Sequence, residues 1–133
     1  MSVIDLFLIC IYTHFCEMKE KGRPVVPWFQ TVATLSLEVS ISSVLLMKIF
    51  VGNNSNSGSV SVIIFWLTFL GTGLVCFFSI KQYLFNSGRN ISLSESYMNQ
   101  YSFKQRQIFK IVSICAIMII PILLGFIVWY KAV

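Results

Sequence analysis

The sequence predicts an all-α membrane protein with three transmembrane helices, preceded by an interfacial amphipathic helix at the N-terminus. Three observations favour this fold class: 56% of the 133 residues are hydrophobic, only 11% are charged, and the apolar residues gather in three long runs. A soluble domain carries about a quarter of its residues as Asp, Glu, Lys or Arg. The length allows one domain, so we predict a single transmembrane domain over 1–133.

The positions of the charged residues and cysteines exclude several function classes. The net charge is +5, but the basic residues lie beside the apolar runs, as topology determinants and contacts to anionic lipid do. They form no basic face with interleaved aromatics, so no nucleic-acid partner is expected. The four cysteines include no CxxC pair, and Cys10 with His14 supplies only two ligands at i, i+4 spacing. We therefore predict no metal site and no cofactor.

The N-terminal segment 3–17 is apolar but too short to span, because crossing a bilayer takes about 20 residues. It also differs from a signal peptide, which begins with positive charge and ends at a small-residue cleavage site. Asp5, Thr13, Glu17 and Glu20 fall roughly on one helical face. We predict an uncleaved helix that lies in the membrane interface, and packing against a partner or the protein core is the alternative.

The first predicted span, 28–51, follows a proline-containing turn and is the most polar of the three. At about 100° per residue, one polar stripe is formed by Thr31, Thr34, Glu38 and Ser42. A second stripe of small residues is formed by Ser36, Ser40 and Ser43. Small residues at this spacing let helices approach closely, and hydroxyls can bond across the interface. We expect this span to be internal to the bundle or to form an oligomer seam.

The second predicted span, 59–80, and the third, 111–130, contain no Asp, Glu, Lys or Arg. The connector 52–58 (GNNSNSG) consists of turn-forming residues and predicts antiparallel neighbours. Pro121 lies inside the third span, where a missing backbone N–H predicts a helix kink. The hydrophilic loop 81–110 contains Ser92 and Glu95 at capping-box spacing, which predicts a short amphipathic helix that begins there.

The orientation follows from the distribution of Lys and Arg. Three basic residues precede the first span and five lie in the loop 81–110, against Lys48 and Lys131 at the other ends of the spans. The positive-inside rule therefore places the N-terminus and the loop in the cytoplasm and the C-terminus outside.

The order of parts resembles that of small multi-pass proteins of bacterial inner membranes. The apolar start DLFLICIYTHFC is followed by the charged turn KEKGRP, a serine-bearing span, a second span, the basic loop QYLFNSGRN with SYMNQYSFKQRQ, and a third span. The resemblance covers nearly the whole chain and rests on layout and composition. It implies a bacterial inner-membrane location and assigns no site residues.

Glu38 is the strongest candidate for a functional residue. It lies eleven residues into the first span, near the bilayer midplane, where a carboxylate costs several kcal/mol unless it is protonated or paired. A proton or cation relay needs further ionisable groups at this depth, and the other two spans supply none. We therefore expect Glu38 to serve assembly, together with Thr34, Ser36, Ser40 and Ser42 on the same helix.

Two functions are compatible with this sequence. One histidine and five scattered carboxylates do not make a nucleophile, base and orienting group, so we expect no enzyme. The first hypothesis is an accessory subunit that packs in the lipid bilayer against a membrane-protein partner, or forms a homo-oligomer. The alternative is an oligomeric pore or holin-like channel, whose lumen would be lined by the stripe that contains Glu38.

Overall fold

The computed structural model describes residues 1–51 and 58–132, and these residues form helices and no strand. The helices are α1 (Val3–Glu20), α2 (Pro27–Val51), α3 (Gly58–Ile80), α4 (Arg89–Gln100) and α5 (Phe103–Ala132). A π-helical segment, Lys81–Asn86, continues α3 without a break. The all-α class is thus confirmed. Apart from its last residue, the predicted connector 52–58 lies outside the described residues.

Three of the described helices are long and apolar enough to cross a membrane: Pro27–Phe50, Val62–Asn86 and Phe103–Lys131. This confirms the prediction of three helices that could span a membrane, with a difference at the loop 81–110. Its first six residues continue α3 and its last eight, 103–110, belong to α5. The hydrophilic residues do not end these helices, because Lys, Gln and Arg favour a helix nearly as well as apolar residues do. The connection outside regular spanning helices is accordingly shorter than predicted.

Helix α2 lies between the other two spanning helices. Ser40 of α2 meets Gly73 of α3, whereas Leu35 of α2 belongs to a cluster that includes Ile117 of α5. Among the described residues, no Cα atom of α3 lies within 8 Å of one in α5. The three helices therefore form an open row with α2 in the middle, which fits the expectation that the polar span is internal.

Helix α1 packs against the protein on several sides. Its Leu8 and Ile11 join Leu35 of α2 and Leu84 of the π-helical segment in one buried cluster, and α1 also contacts α4 and α5. Ile9 is fully buried. The sequence predicted an interfacial helix, but the contacts match the core-packing alternative, because polar as well as apolar residues of α1 find partners inside the chain. Its depth relative to the lipid headgroups stays a prediction.

Helix α4 begins three residues before the predicted capping box. Gly88 has φ +72°, a left-handed conformation that glycine adopts without strain, and the helix starts at the next residue, Arg89. Ser92 is thus already inside the helix, where its hydroxyl donates to the carbonyl of Arg89 over 3.1 Å. The capping-box prediction is therefore wrong for the start of α4.

Helix α5 runs through Pro121 from Phe103 to Ala132. Proline has no N–H to donate to the carbonyl four residues earlier, that of Ile117. The helix tolerates this loss, as spanning helices commonly do when neighbours or local adjustments satisfy the freed carbonyl. The size of the kink at Pro121 stays a prediction.

Candidate interaction site

The stripe of small residues on α2, formed by Ser36, Ser40 and Ser43 and here named the serine stripe, contacts α3 through Ser40. Ser36 and Ser40 are 5% and 1% exposed, and a Cβ atom added to Gly73 of α3 would lie 2.6 Å from the Ser40 hydroxyl oxygen. The Ser40 hydroxyl donates to the carbonyl of Ser36 over 2.8 Å, while the Ser36 hydroxyl has no partner among the described residues. The predicted stripe of small residues is therefore used for close packing within the chain.

The polar stripe of Thr31, Thr34, Glu38 and Ser42, here named the carboxyl stripe, lies on the side of α2 opposite Ser40. Glu38 and Ser42 are each about 200° around the helix from Ser40, and both are half-buried. The Oε1 atom of Glu38 and the hydroxyl of Ser42 are buried and have no hydrogen-bond partner among the described residues. Thr34 is half-buried, and Thr31 is fully buried and donates to the carbonyl of Pro27. A buried carboxylate oxygen without a donor destabilises the charged state, so Glu38 requires a proton or an external donor.

A polar clamp holds the start of α1. Asp5 is 7% exposed and accepts hydrogen bonds from the Tyr83 hydroxyl at 2.7 Å and the Ser2 hydroxyl at 2.8 Å. The Arg89 guanidinium lies 3.4 Å from Oδ2, the Asp5 oxygen that also accepts from Ser2, and it stacks over the Tyr83 ring at 4.4 Å. One carboxylate of α1 thereby connects the π-helical segment that follows α3 and the start of α4.

Two further polar contacts hold the middle and the end of α1. The Cys10 thiol donates to the Tyr97 hydroxyl of α4 over 3.5 Å, and that hydroxyl donates to the carbonyl of Arg106 in α5 over 3.3 Å. Lys110 of α5 forms an ion pair with Glu17 at 2.8 Å. None of these pairs was predicted, because their members lie far apart in the sequence. One signal in the sequence could have indicated such pairs: α1 is a short apolar helix that contains carboxylates, and buried carboxylates require hydrogen-bonding or charged partners.

The hydrogen bonds and ion pair of Asp5 predict that the protein becomes less stable in acid. The Tyr83 hydroxyl, helped by Ser2 and Arg89, holds the pKa of Asp5 below its usual value of 3.8. Because the folded-state pKa is the lower one, the stabilisation is complete above 3.8 and is lost as pH falls through the folded-state pKa. We expect the Asp5→Asn variant to show a smaller fall in melting temperature than the wild type between pH 5 and about pH 3. Thermal melts in detergent test this, and Glu20→Gln, which removes an exposed carboxyl of the same helix, is the control. Parallel curves for Asp5→Asn and the wild type would contradict the role of Asp5.

A cleft of about 380 Å³ opens between α1 and α4. Its lining combines carboxylates, hydroxyls, a thiol and apolar side chains, from Tyr12, Thr13, Cys16, Glu17, Glu20, Asn90, Ile91, Ser94, Glu95 and Met98. In the part of the chain that the structure describes, no three His, Cys, Asp or Glu side chains are placed to hold a metal ion. Burial lowers the pKa of nearby His14, with Lys110 adding to the effect. The three carboxylates of the cleft, from Glu17, Glu20 and Glu95, therefore do not converge on one point.

Comparison with known proteins adds no relative. No protein-family model, no curated protein and no solved structure matches this chain. The resemblance to small bacterial inner-membrane proteins therefore stays a prediction from layout.

Proposed function

We propose that this protein is a non-catalytic subunit of a membrane complex, which packs against a partner membrane protein through α2. The open row of spanning helices carries this proposal. Although α2 is central, apolar side chains remain exposed on two of its faces, with Leu37 at 53% and Ile41 at 40% on one and Val39 at 38% and Leu46 at 41% on the other. Each face offers exposed apolar side chains against which an additional helix can pack.

The polar groups of α2 favour a protein partner over lipid alone. Lipid chains cover apolar surface equally well, but they offer no hydrogen-bond donor to a carboxyl group. Glu38 is half-buried, so a hydroxyl or amide on a partner helix can reach the exposed part of its carboxyl group. Such a bond would relieve the cost of a carboxylate at this depth.

The alternative is an oligomeric pore lined by the carboxyl stripe of α2. A pore lining must face water shared between subunits. The Glu38 Oε1 atom and the Ser42 hydroxyl are instead covered by other atoms of the same chain. This burial favours the subunit hypothesis, since one Glu38 oxygen and the Ser42 hydroxyl would reach a lumen only after the side chains that cover them had moved.

The proposed location is the inner membrane of a bacterial cell, with the N-terminus, α1 and α4 on the cytoplasmic side and the C-terminus outside. The support is the excess of Lys and Arg before α2 and in residues 81–110, which hold eight basic residues against two at the other ends of the spans. A reporter fused after the C-terminus tests the orientation: activity restricted to the cytoplasm would overturn it.

Co-purification from native membranes in mild detergent tests the subunit hypothesis. We expect a stoichiometric partner to be retained by the wild type. Two double variants, Leu37→Trp with Ile41→Trp and Val39→Trp with Leu46→Trp, should each retain at least about tenfold less of that partner. A bulky ring at a packed helix contact lowers the binding free energy by more than about 1.4 kcal/mol. The control is Leu67→Trp, at a residue of α3 that is 67% exposed. Retention of the partner by both α2 variants would contradict the proposal.

Membrane potential separates the subunit from the pore. We expect no depolarisation when expression of the wild-type protein is induced. Rapid depolarisation that Glu38→Gln abolishes would support the pore instead, since that change removes the ionisable group and keeps the size of the side chain.

A further inference from the structure

We infer that the cleft between α1 and α4 binds a cationic segment, rich in Lys or Arg, of a partner membrane protein. The inference rests on the proposed function and assigns it a second contact, at the end of the bundle that carries α1 and α4. Four observations carry it: the shape of the cleft, its charge, the spacing of its carboxylates and the apolar side chains at its edge.

The charge of the cleft is opposite to that of the chain. The whole protein carries +5 and has five Asp and Glu residues, yet three of these, Glu17, Glu20 and Glu95, line this one cleft. None of the described lining residues is Lys or Arg. Glu17 is paired with Lys110, whereas Glu20 and Glu95 form no ion pair within the described residues. The cleft therefore offers at least two free carboxylates to a positively charged ligand.

The spacing of the carboxylates favours a polymer over a single ion. Metal binding needs several ligands around one point, and the described side chains of the cleft do not provide that arrangement. Because the carboxylates come from two helices, Glu17 and Glu20 from α1 and Glu95 from α4, they match positive charges on more than one residue of a peptide. The cleft volume of about 380 Å³ is also that of a site for several side chains.

Apolar side chains at the edge indicate that the ligand is a protein segment. Ile91 is 64% exposed and Met98 is 51% exposed, and both lie on α4, which is outside the spanning helices. Methionine is common at adaptable binding surfaces because it is flexible and polarisable. An anionic membrane surface does not fit the same place, because the carboxylates repel acidic headgroups.

The positive-inside rule identifies a source for such a segment. Membrane proteins carry an excess of Lys and Arg in short loops next to their spans on the cytoplasmic side. A partner whose span packs against α2 presents such a loop at the level of α1 and α4. The acidic cleft and the α2 face thus contact two adjacent parts of one partner.

Peptide binding to the full-length protein in nanodiscs of neutral lipid tests the inference. The probe is a fluorescein-labelled peptide of Lys, Arg and Ser with one Leu, and its counterpart has Glu in place of each Lys and Arg. We expect the cationic peptide to bind although the protein is itself positively charged, and to bind more weakly as salt is added. The anionic peptide should not bind.

Two double variants separate the cleft from overall charge. Glu20→Gln with Glu95→Gln should weaken binding about fivefold, the effect of losing two exposed ion pairs. Gln82→Lys with Gln100→Lys raises the net charge by the same two units on exposed residues that do not line the cleft, and it should reduce binding less. Equal weakening by the two double variants, or binding of the anionic peptide, would overturn the inference.

Failure of this inference is distinguishable from failure of the proposed function. If co-purification depends on the α2 faces while Glu20→Gln with Glu95→Gln leaves peptide affinity unchanged, the subunit hypothesis stands and the cleft is not the second contact. If the cationic peptide binds in the cleft but no partner is retained by the wild type, the proposed function fails independently.

Discussion

Replacing Asp5 by Asn is expected to loosen α1 from the rest of the protein. The carboxylate is buried and accepts bonds from Tyr83 and Arg89, which belong to other elements. An amide keeps the size of the side chain but accepts with only one oxygen and carries no charge, which destabilises the contact by about 2 kcal/mol. The Arg89 contribution is small, because its side chain is 44% exposed and solvent screens its charge.

Cysteine labelling measures the release of α1 directly. Cys10 is 1% exposed, so in a variant that keeps this cysteine alone a maleimide can react with it only when α1 opens. An opening equilibrium changed by about 2 kcal/mol raises the labelling rate about thirtyfold. Glu20→Gln, at an exposed position of α1, should leave the rate unchanged. Equal rates for Asp5→Asn and the wild type would show that the clamp does not hold α1.

Local patterns were sufficient to predict the spanning helices. A run of about 20 apolar residues has one stable structure in a bilayer, because its backbone groups must bond within the segment. The sequence therefore predicted α2 and α3 to within one residue at each end, whereas α5 begins eight residues before the predicted third span. The same reasoning predicted the two polar stripes, since the helical repeat alone determines that Ser36 and Ser40 share a face.

Long-range contacts were not predictable from the sequence, and they decided the position of α1. Asp5 bonds to residues 78 and 84 positions away, and no local pattern indicates which of the chain's polar groups will meet it. The predicted amphipathic helix and the observed core-packed helix share one hydrophobic pattern, because a lipid surface and a protein surface both cover apolar side chains. Partners for the polar residues distinguish the two, and only the fold supplies them.

Replacing Gly73 by Ala is expected to disturb the contact between α2 and α3. The added Cβ atom would lie 2.6 Å from the Ser40 hydroxyl oxygen, so Ser40 must rotate and give up its bond to the carbonyl of Ser36. Loss of that bond and local overpacking together cost about 1–3 kcal/mol. We expect a lower midpoint in detergent unfolding, and a larger fall for Gly73→Leu.

Gly71 provides the matched control, because it lies two residues away on the same helix and a Cβ atom there would meet nothing within 4 Å. Gly71→Ala should be neutral or stabilising by up to about 1 kcal/mol, since alanine favours a helix more than glycine does. Adding Ser40→Ala to Gly73→Ala should recover part of the loss, because it removes the obstructing hydroxyl, and a double-mutant cycle measures that coupling. If Gly73→Ala left the unfolding midpoint unchanged but altered the oligomeric state, the serine stripe would be a seam between subunits and α3 would not be its partner.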